Sequence, residues 1–303
     1  MRNLRPLAFC FLGYYISLPA LCDRPLRFSD KMVPLRRVPG CRQEAGGPGV
    51  DADGDIANLL SRLESELESQ PELSAAWSQA GLELGDSTGG SGPSISEELA
   101  QTVMAYTLEY PPPPATPFYL IFNRETRLCL ASSLETQTTP TSCVAFRTYR
   151  SLLSRALKEL RGREDVDHPG TVYRGASLPF RAKQGQTIEF GAFTSASASR
   201  EVAEAFTGGG GTMFHIRTAR GAPVDSLSPF PGEREVLIPP CESFQVDKVH
   251  HSKGPWGGEG RVEIFLTSVE LLGGNSGGRE GGSPAVPVLV GLAVLLVSGI
   301  PWS

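Results

Sequence analysis

The chain changes its hydrophobic period once, and that change restricts its fold more than any other feature. Tyr149, Leu152, Leu153, Ala156, Leu157 and Leu160 recur at helical spacing, with Lys158, Arg161 and Arg163 toward the end where cations suit the helix dipole. From Thr171 onward the apolar residues come in short runs instead. Thr171–Tyr173, Thr187–Phe190, Ala192–Ser195, Thr212–Ile216, Glu235–Ile238, Ser243–Val249 and Val262–Thr267 read as strands. Upstream, Ile56, Leu59, Leu60, Leu63 and Leu67 mark one amphipathic helix continuing toward Trp77, and Glu97 to Tyr106 a shorter one. Helices grouped before strands predict an α+β domain. Gly85 to Pro93 and Pro111 to Pro114 are breaks between helices, and a short helix from Arg200 to Phe206, with Ser199 as N-cap, interrupts the strands.

The two ends read differently from the middle. Arg2 and Arg5 precede an apolar run from Leu7 to Ile16 and small residues before Cys22, the pattern of a secretory signal peptide over 1–22, with an uncleaved anchor or a buried first helix as the alternatives. Residues 23–55 are rich in glycine, proline and charge and are expected to run irregularly over the surface. At the other end, Gly273 to Gly278, a polar spacer and the uncharged stretch Ser283–Ser303 make a GPI-attachment signal over 273–303, with the cut near Asn275 or Ser276. A single membrane helix is the rival, although the apolar core is short for a span and no basic residue follows it. Both ends lead to the expectation that the intervening domain, 56–272, lies on the extracellular face of the plasma membrane, held by a lipid anchor, with a secreted or single-pass membrane protein as the alternative.

Cysteine usage agrees with that address. Cys10 leaves with the signal and Cys22 stands at its boundary, so Cys41, Cys129, Cys143 and Cys241 remain, an even set with three possible connectivities in an oxidising compartment. Cys129 with Cys143 would close a short local loop and leave Cys41 with Cys241 as a long-range tie. No cysteine spacing, with or without His168, His215, His250 or His251, suits a metal, so no metal site is expected. A net charge of −5 over 303 residues points to no nucleic-acid partner. The run Gly208–Gly211 lacks the lysine and hydroxyl of a phosphate-binding loop and follows its helix, so it carries little signal.

Chemistry concentrates in Ser228-Pro229-Phe230-Pro231-Gly232-Glu233-Arg234-Glu235-Val236-Leu237-Ile238-Pro239-Pro240, a punctuated loop that runs into an apolar strand. If the backbone is extended there, Glu233 and Glu235 point to one face and Arg234 to solvent. An isolated E-x-E is usually a solvated edge. Upstream, however, Val172-Tyr173-Arg174-Gly175 forms a strand ending in an arginine and a glycine, and Phe193-Thr194-Ser195-Ala196-Ser197 one ending in hydroxyls. Arginine, serine and paired glutamates in this order resemble the R-S-E-x-E signature of the arginine-specific mono-ADP-ribosyltransferases, the vertebrate ecto-enzymes and their bacterial toxin relatives. The resemblance extends over Phe146 to Gly175, Phe190 to Phe206 and Phe230 to Val246, and includes Ala105-Tyr106-Thr107 and Phe122-Asn123-Arg124.

The resemblance implies N-terminal helices followed by a mostly antiparallel two-sheet β core, and transfer of ADP-ribose from NAD to arginine side chains of target proteins with release of nicotinamide. NAD is then a substrate, with no resident cofactor. It also implies roles: Glu235 holds the ribose, Arg174 and Gly175 hold NAD, Ser195 orients Glu235, and Glu233 with Phe230 receives the acceptor. Thr194 and Ser197 leave the serine assignment open by one step. Two other functions stay open, an NAD glycohydrolase using the same site and a catalytically silent cell-surface binding protein. The chain departs from the ecto-enzymes in its cysteines: none follows Cys241 to bind the N-terminal segment, and an aromatic residue is expected at position 241.

Overall fold

The apolar stripes of the N-terminal half become helices, and the computed structural model adds one that the periodicity hides. It describes residues 32–38, 41, 55–87, 95–112, 114–132, 141–163, 168–208, 210–253 and 259–273, so the expected signal peptide and nearly all of the attachment signal lie outside the described residues. Helix α1 (Ile56–Ser69) starts at Asp55, whose carboxylate accepts the Ala57 N–H, and stops before Pro71, which opens α2 (Pro71–Ser87). The single helix expected here is therefore two. Proline breaks a helix interior but suits a first turn, where its missing N–H has no partner to lose.

Helix α3 (Glu97–Thr107) is capped by the Ser96 hydroxyl. Helix α4 (Phe118–Ser132) has no clear apolar period because its inward stripe mixes Phe118 and Phe122 with buried Asn123 and Thr126. After the short α5 (Thr141–Val144) comes α6 (Arg147–Arg161), the helix with the clearest sequence pattern. Its N-cap position, Phe146, is left-handed at φ 57° and offers no capping side chain. Glu66 of α1 substitutes, accepting the Thr148 and Tyr149 N–H groups at 2.9 and 2.8 Å. A carboxylate placed there satisfies two orphan donors and suits the positive end of the dipole.

The strands are β1 (Val33–Pro34), β2 (Val172–Ala176), β3 (Phe180–Arg181), β4 (Thr187–Ile188), β5 (Thr194–Ser197), β6 (Thr212–Arg217), β7 (Ala222–Pro223), β8 (Glu235–Ile238), β9 (Phe244–Lys253) and β10 (Glu259–Ser268). Helix α7 (Arg200–Ala205), capped by Ser199 as expected, separates β5 from β6, and α8 (Val269–Gly273) follows β10. The strands form two unequal sheets: eight in the order β4-β9-β10-β6-β2-β5-β8-β7, and the pair β1-β3. Within the larger sheet only β10 and β6 run parallel. This is the mostly antiparallel α+β arrangement expected.

Two apolar cores lie on opposite faces of the β5-β8 region. Leu237 of β8 and Phe193 join the helical core with Tyr106, Phe122, Tyr149 and Leu153. Val236 and Ile238 face the other way and pack with Val172, Phe214, Ile264 and Leu266. Strand alternation divides one tetrapeptide between two cores, so β8 is held from both sides. Residues 32–38 and 41 of the N-terminal segment are more tied down than its composition suggests. Leu35 is buried in the second core, β1 pairs with β3, and the Val38 N–H and Arg37 guanidinium both engage buried Glu189. Both disulfides form, Cys129–Cys143, which links α4 to α5, and Cys41–Cys241, which joins the N-terminal segment to the chain just beyond β8. No helix among the described residues is long and apolar enough to cross a membrane.

Candidate active site

Sheet order makes β2, β5 and β8 neighbours, and these three strands carry Arg174, Ser195 and Glu235. In the β5-β8 register Ser197 lies opposite Glu235 and Ser195 opposite Leu237. Paired residues and those two further along share a face, so Ser195 and Glu235 are diagonal neighbours on the cleft side. The three candidate hydroxyls separate by their bonds. Ser197 Oγ donates to the Glu233 carbonyl at 2.6 Å and accepts the Ser199 N–H, and Thr194 Oγ1 donates to the Ala192 carbonyl. Both are committed to the backbone. Ser195 is the hydroxyl whose influence reaches the Glu235 carboxyl.

Glu233 reaches the cleft by a different route from the one expected. Pro231–Glu233 is a single 3-10 turn, Arg234 is left-handed at φ 48°, and the strand begins only at Glu235. The backbone is not extended across the pair, so alternation does not align the two acids. A tight turn swings Glu233 over the strand end, held by its N–H to the Phe230 carbonyl at 3.0 Å and by Ser197 on its own carbonyl. Arg234 stays exposed, as expected. Glu233, Glu235 and Phe230 line one cleft with Arg174, Gly175 and Ser195, so all six sequence candidates come together.

The electrostatics of the cleft follow from its partial dryness. Burial pushes the Glu235 carboxyl up to about 7, Ser195 opposes the rise, the Glu233 charge adds to it and Arg174 again opposes it. Burial also raises Glu233. Arg174 Nη1 donates to the Ser195 carbonyl at 2.7 Å, a bond across the β2-β5 pair that fixes the guanidinium beside the strand. Burial lowers its pKa, while Tyr106, Glu235 and Tyr119 work to retain its charge.

Tyr106 of α3 closes the cleft from the helical side. Its hydroxyl donates to the Phe193 carbonyl at 3.1 Å and accepts from Asn123 Nδ2 at 2.9 Å, and burial lifts its pKa to about 12. A buried phenol kept neutral in this way is a fixed dipole beside Glu235. Arg127, on the otherwise unexpected helix α4, is drawn down to about 10 by burial and by the Arg174 charge. Glu109 and Tyr119 also line the cleft, and no motif in the sequence singles them out. Gly175 has a packing reason of its own: a Cβ there would strike the Ala203 carbonyl and stand 3.1 Å from the Phe206 Cβ, so only glycine lets α7 sit on β2. No group of three or more histidine, cysteine or acidic side chains able to hold a metal occurs among the described residues.

Comparison with known proteins gives this constellation its family. The chain is 39% identical over 162 residues to the erythroblast NAD(P)(+)--arginine ADP-ribosyltransferase of Gallus gallus, covering 53% of this chain and 49% of that one. It is 47% identical over 105 residues to ecto-ADP-ribosyltransferase 5 of Mus musculus, 33% of each chain, and 43% identical over 104 residues to the GPI-linked NAD(P)(+)--arginine ADP-ribosyltransferase 1 of Oryctolagus cuniculus, 34% and 31%. These matches thus span between about a third and a half of the relatives' lengths. The fold matches the crystal structure of the eukaryotic mono-ADP-ribosyltransferase ART2.2 with a TM-score of 0.54 at 24% identity, over 78% of this chain and 94% of that one. A mutant of that enzyme in complex with NAD matches equally well. With the model of the NAD:arginine ADP-ribosyltransferases matching residues 56–270, the stretch that holds every residue lining the cleft, the chain belongs to that family.

Proposed function

We propose that the protein is an NAD-dependent protein-arginine mono-ADP-ribosyltransferase of the outer cell surface. The observation that carries the reading is the convergence of Arg174, Ser195, Glu233 and Glu235 in one cleft, from three adjacent strands and one turn. Arg174 offers a planar fork of donors to phosphate oxygens, and the Gly175 backbone engages nicotinamide. Cleavage of the bond between ribose C1′ and the nicotinamide nitrogen sends the electron pair to nicotinamide and leaves positive charge on the ribose. Glu235, as carboxylate, stabilises that charge and accepts from the 2′-hydroxyl, with Ser195 orienting it. A guanidinium nitrogen then bonds to C1′ and yields its proton to Glu233, whose burial makes it a better base than a free carboxylate. Phe230 stacks on the incoming group.

Family membership, the reading of both ends as export and lipid-anchor signals, and two disulfides suited to an oxidising compartment support placement on the outer surface, as does a GPI-linked relative. The experiment is release of nicotinamide and transfer of labelled ADP-ribose from NAD by the full chain, with and without agmatine as arginine mimic. Wild type labels agmatine, Glu233→Gln loses transfer while retaining nicotinamide release, and Glu235→Gln loses both. A wild type that releases nicotinamide without labelling agmatine is a glycohydrolase, and one that does neither is a binding protein.

A further inference from the structure

The cleft contains an acid that the four-residue constellation does not use. Glu109 lies two residues beyond the end of α3 and lines the cleft with Glu233, Phe230 and Tyr119. Glu109 and Glu233 are both half-buried. Among the described residues neither carboxylate has an ion pair or a hydrogen-bond donor: burial raises both, the Glu233 charge raises Glu109 further, and no cation offsets either. The nearby cations are directed elsewhere. Arg174 is bonded to the Ser195 carbonyl and acts on Glu235, and the charges felt by Arg127 are those of Arg174 and Tyr106. Two partly desolvated negative charges without a counter-ion are costly, and a cation bound between them would relieve both.

From this arrangement we infer that Glu109 is an acceptor-specificity residue, forming with Glu233 a two-carboxylate clamp that binds the guanidinium of the target arginine. The inference rests on the arginine-transfer reading above. Its chemistry is specific: a guanidinium presents N–H donors along several edges of one plane, so two carboxylates arriving from different sides can each take a pair while an aromatic ring covers the face. An ammonium, a point charge without those edges, gains less. The two acids come from different parts of the domain, Glu109 from the helical half and Glu233 from the turn before β8, so the clamp exists only when the halves are packed together.

The test is steady-state transfer from NAD to agmatine by the full chain, comparing wild type with Glu109→Gln, which keeps size and shape, and Glu109→Asp, which keeps charge. Loss of one charge-assisted hydrogen-bond pair at a half-exposed site raises the KM for agmatine about tenfold in Glu109→Gln. Glu109→Asp falls between the two, and the KM for NAD stays within about twofold of wild type throughout. An agmatine KM unchanged in Glu109→Gln overturns the clamp, and so does a KM for NAD that rises in parallel. A wild type that cannot label agmatine at all overturns the arginine-transfer reading itself, an outcome distinct from failure of the clamp alone.

Discussion

Glu235→Gln probes the cleft through stability, separately from turnover. In the unfolded chain this carboxyl titrates near 4.5, whereas burial in the fold raises it to about 7. Between those values the folded state holds a proton that the unfolded state has released, so stability falls as pH rises through the window. Below about 4.5 both states are protonated and no penalty exists; above about 7 both are ionised and the penalty is complete. At about 1.36 kcal/mol per pH unit the gap amounts to roughly 3 kcal/mol, which water in the cleft screens to about 2 kcal/mol. Glutamine reproduces the protonated shape and carries no charge at any pH. The variant should therefore melt together with wild type near pH 4.5 and about 4–8 °C above it at pH 8, taking about 2–4 °C per kcal/mol for a domain of this size. The assay is thermal denaturation of both proteins at half-unit pH intervals. A melting difference that is flat between pH 4.5 and 8, or that grows as pH falls, refutes the argument that burial dominates this carboxyl.

Two further expectations follow from packing and cross-linking. Gly175→Ala drives a methyl into the Ala203 backbone and should lower stability by about 1–3 kcal/mol, read in denaturant titration; an unchanged midpoint would mean that α7 moves away from β2 freely. Cys241→Ser opens the link between residues 200 positions apart and should remove up to about 5 kcal/mol by loop-closure entropy, with the N-terminal segment becoming more sensitive to protease, and equal stability of the two proteins would refute the tie.

Much of the site was legible in the sequence because it rides on regular strands. The run from Val172 to Gly175 and the run from Thr194 to Ser197 put Arg174 and Ser195 at definite register positions, and the three neighbouring hydroxyls are told apart by bonds that alternation does not describe, those of Ser197 and Thr194 to the backbone. The disulfide pairing was legible by a different logic, a short loop first and the remainder second. Helix α4 was not, because Asn123 and Thr126 occupy inward positions that a hydrophobic count rejects. Asn123 is held there by a tertiary contact, its bond to the Tyr106 hydroxyl.

What the sequence determined by itself is the local chemistry: the change of period that makes the domain α+β, the capping of α7 by Ser199, and the presence of arginine, serine and two acids in a fixed order. Only the tertiary structure decided where those acids are placed and what surrounds them. A turn with a left-handed Arg234 brings Glu233 over the cleft where extended backbone had been expected, and packing of α3 against the strands brings in Tyr106 and Glu109, far away in sequence. The physical reason is that side-chain direction along a strand is set by neighbouring residues, whereas desolvation and charge–charge proximity depend on everything that folds around them.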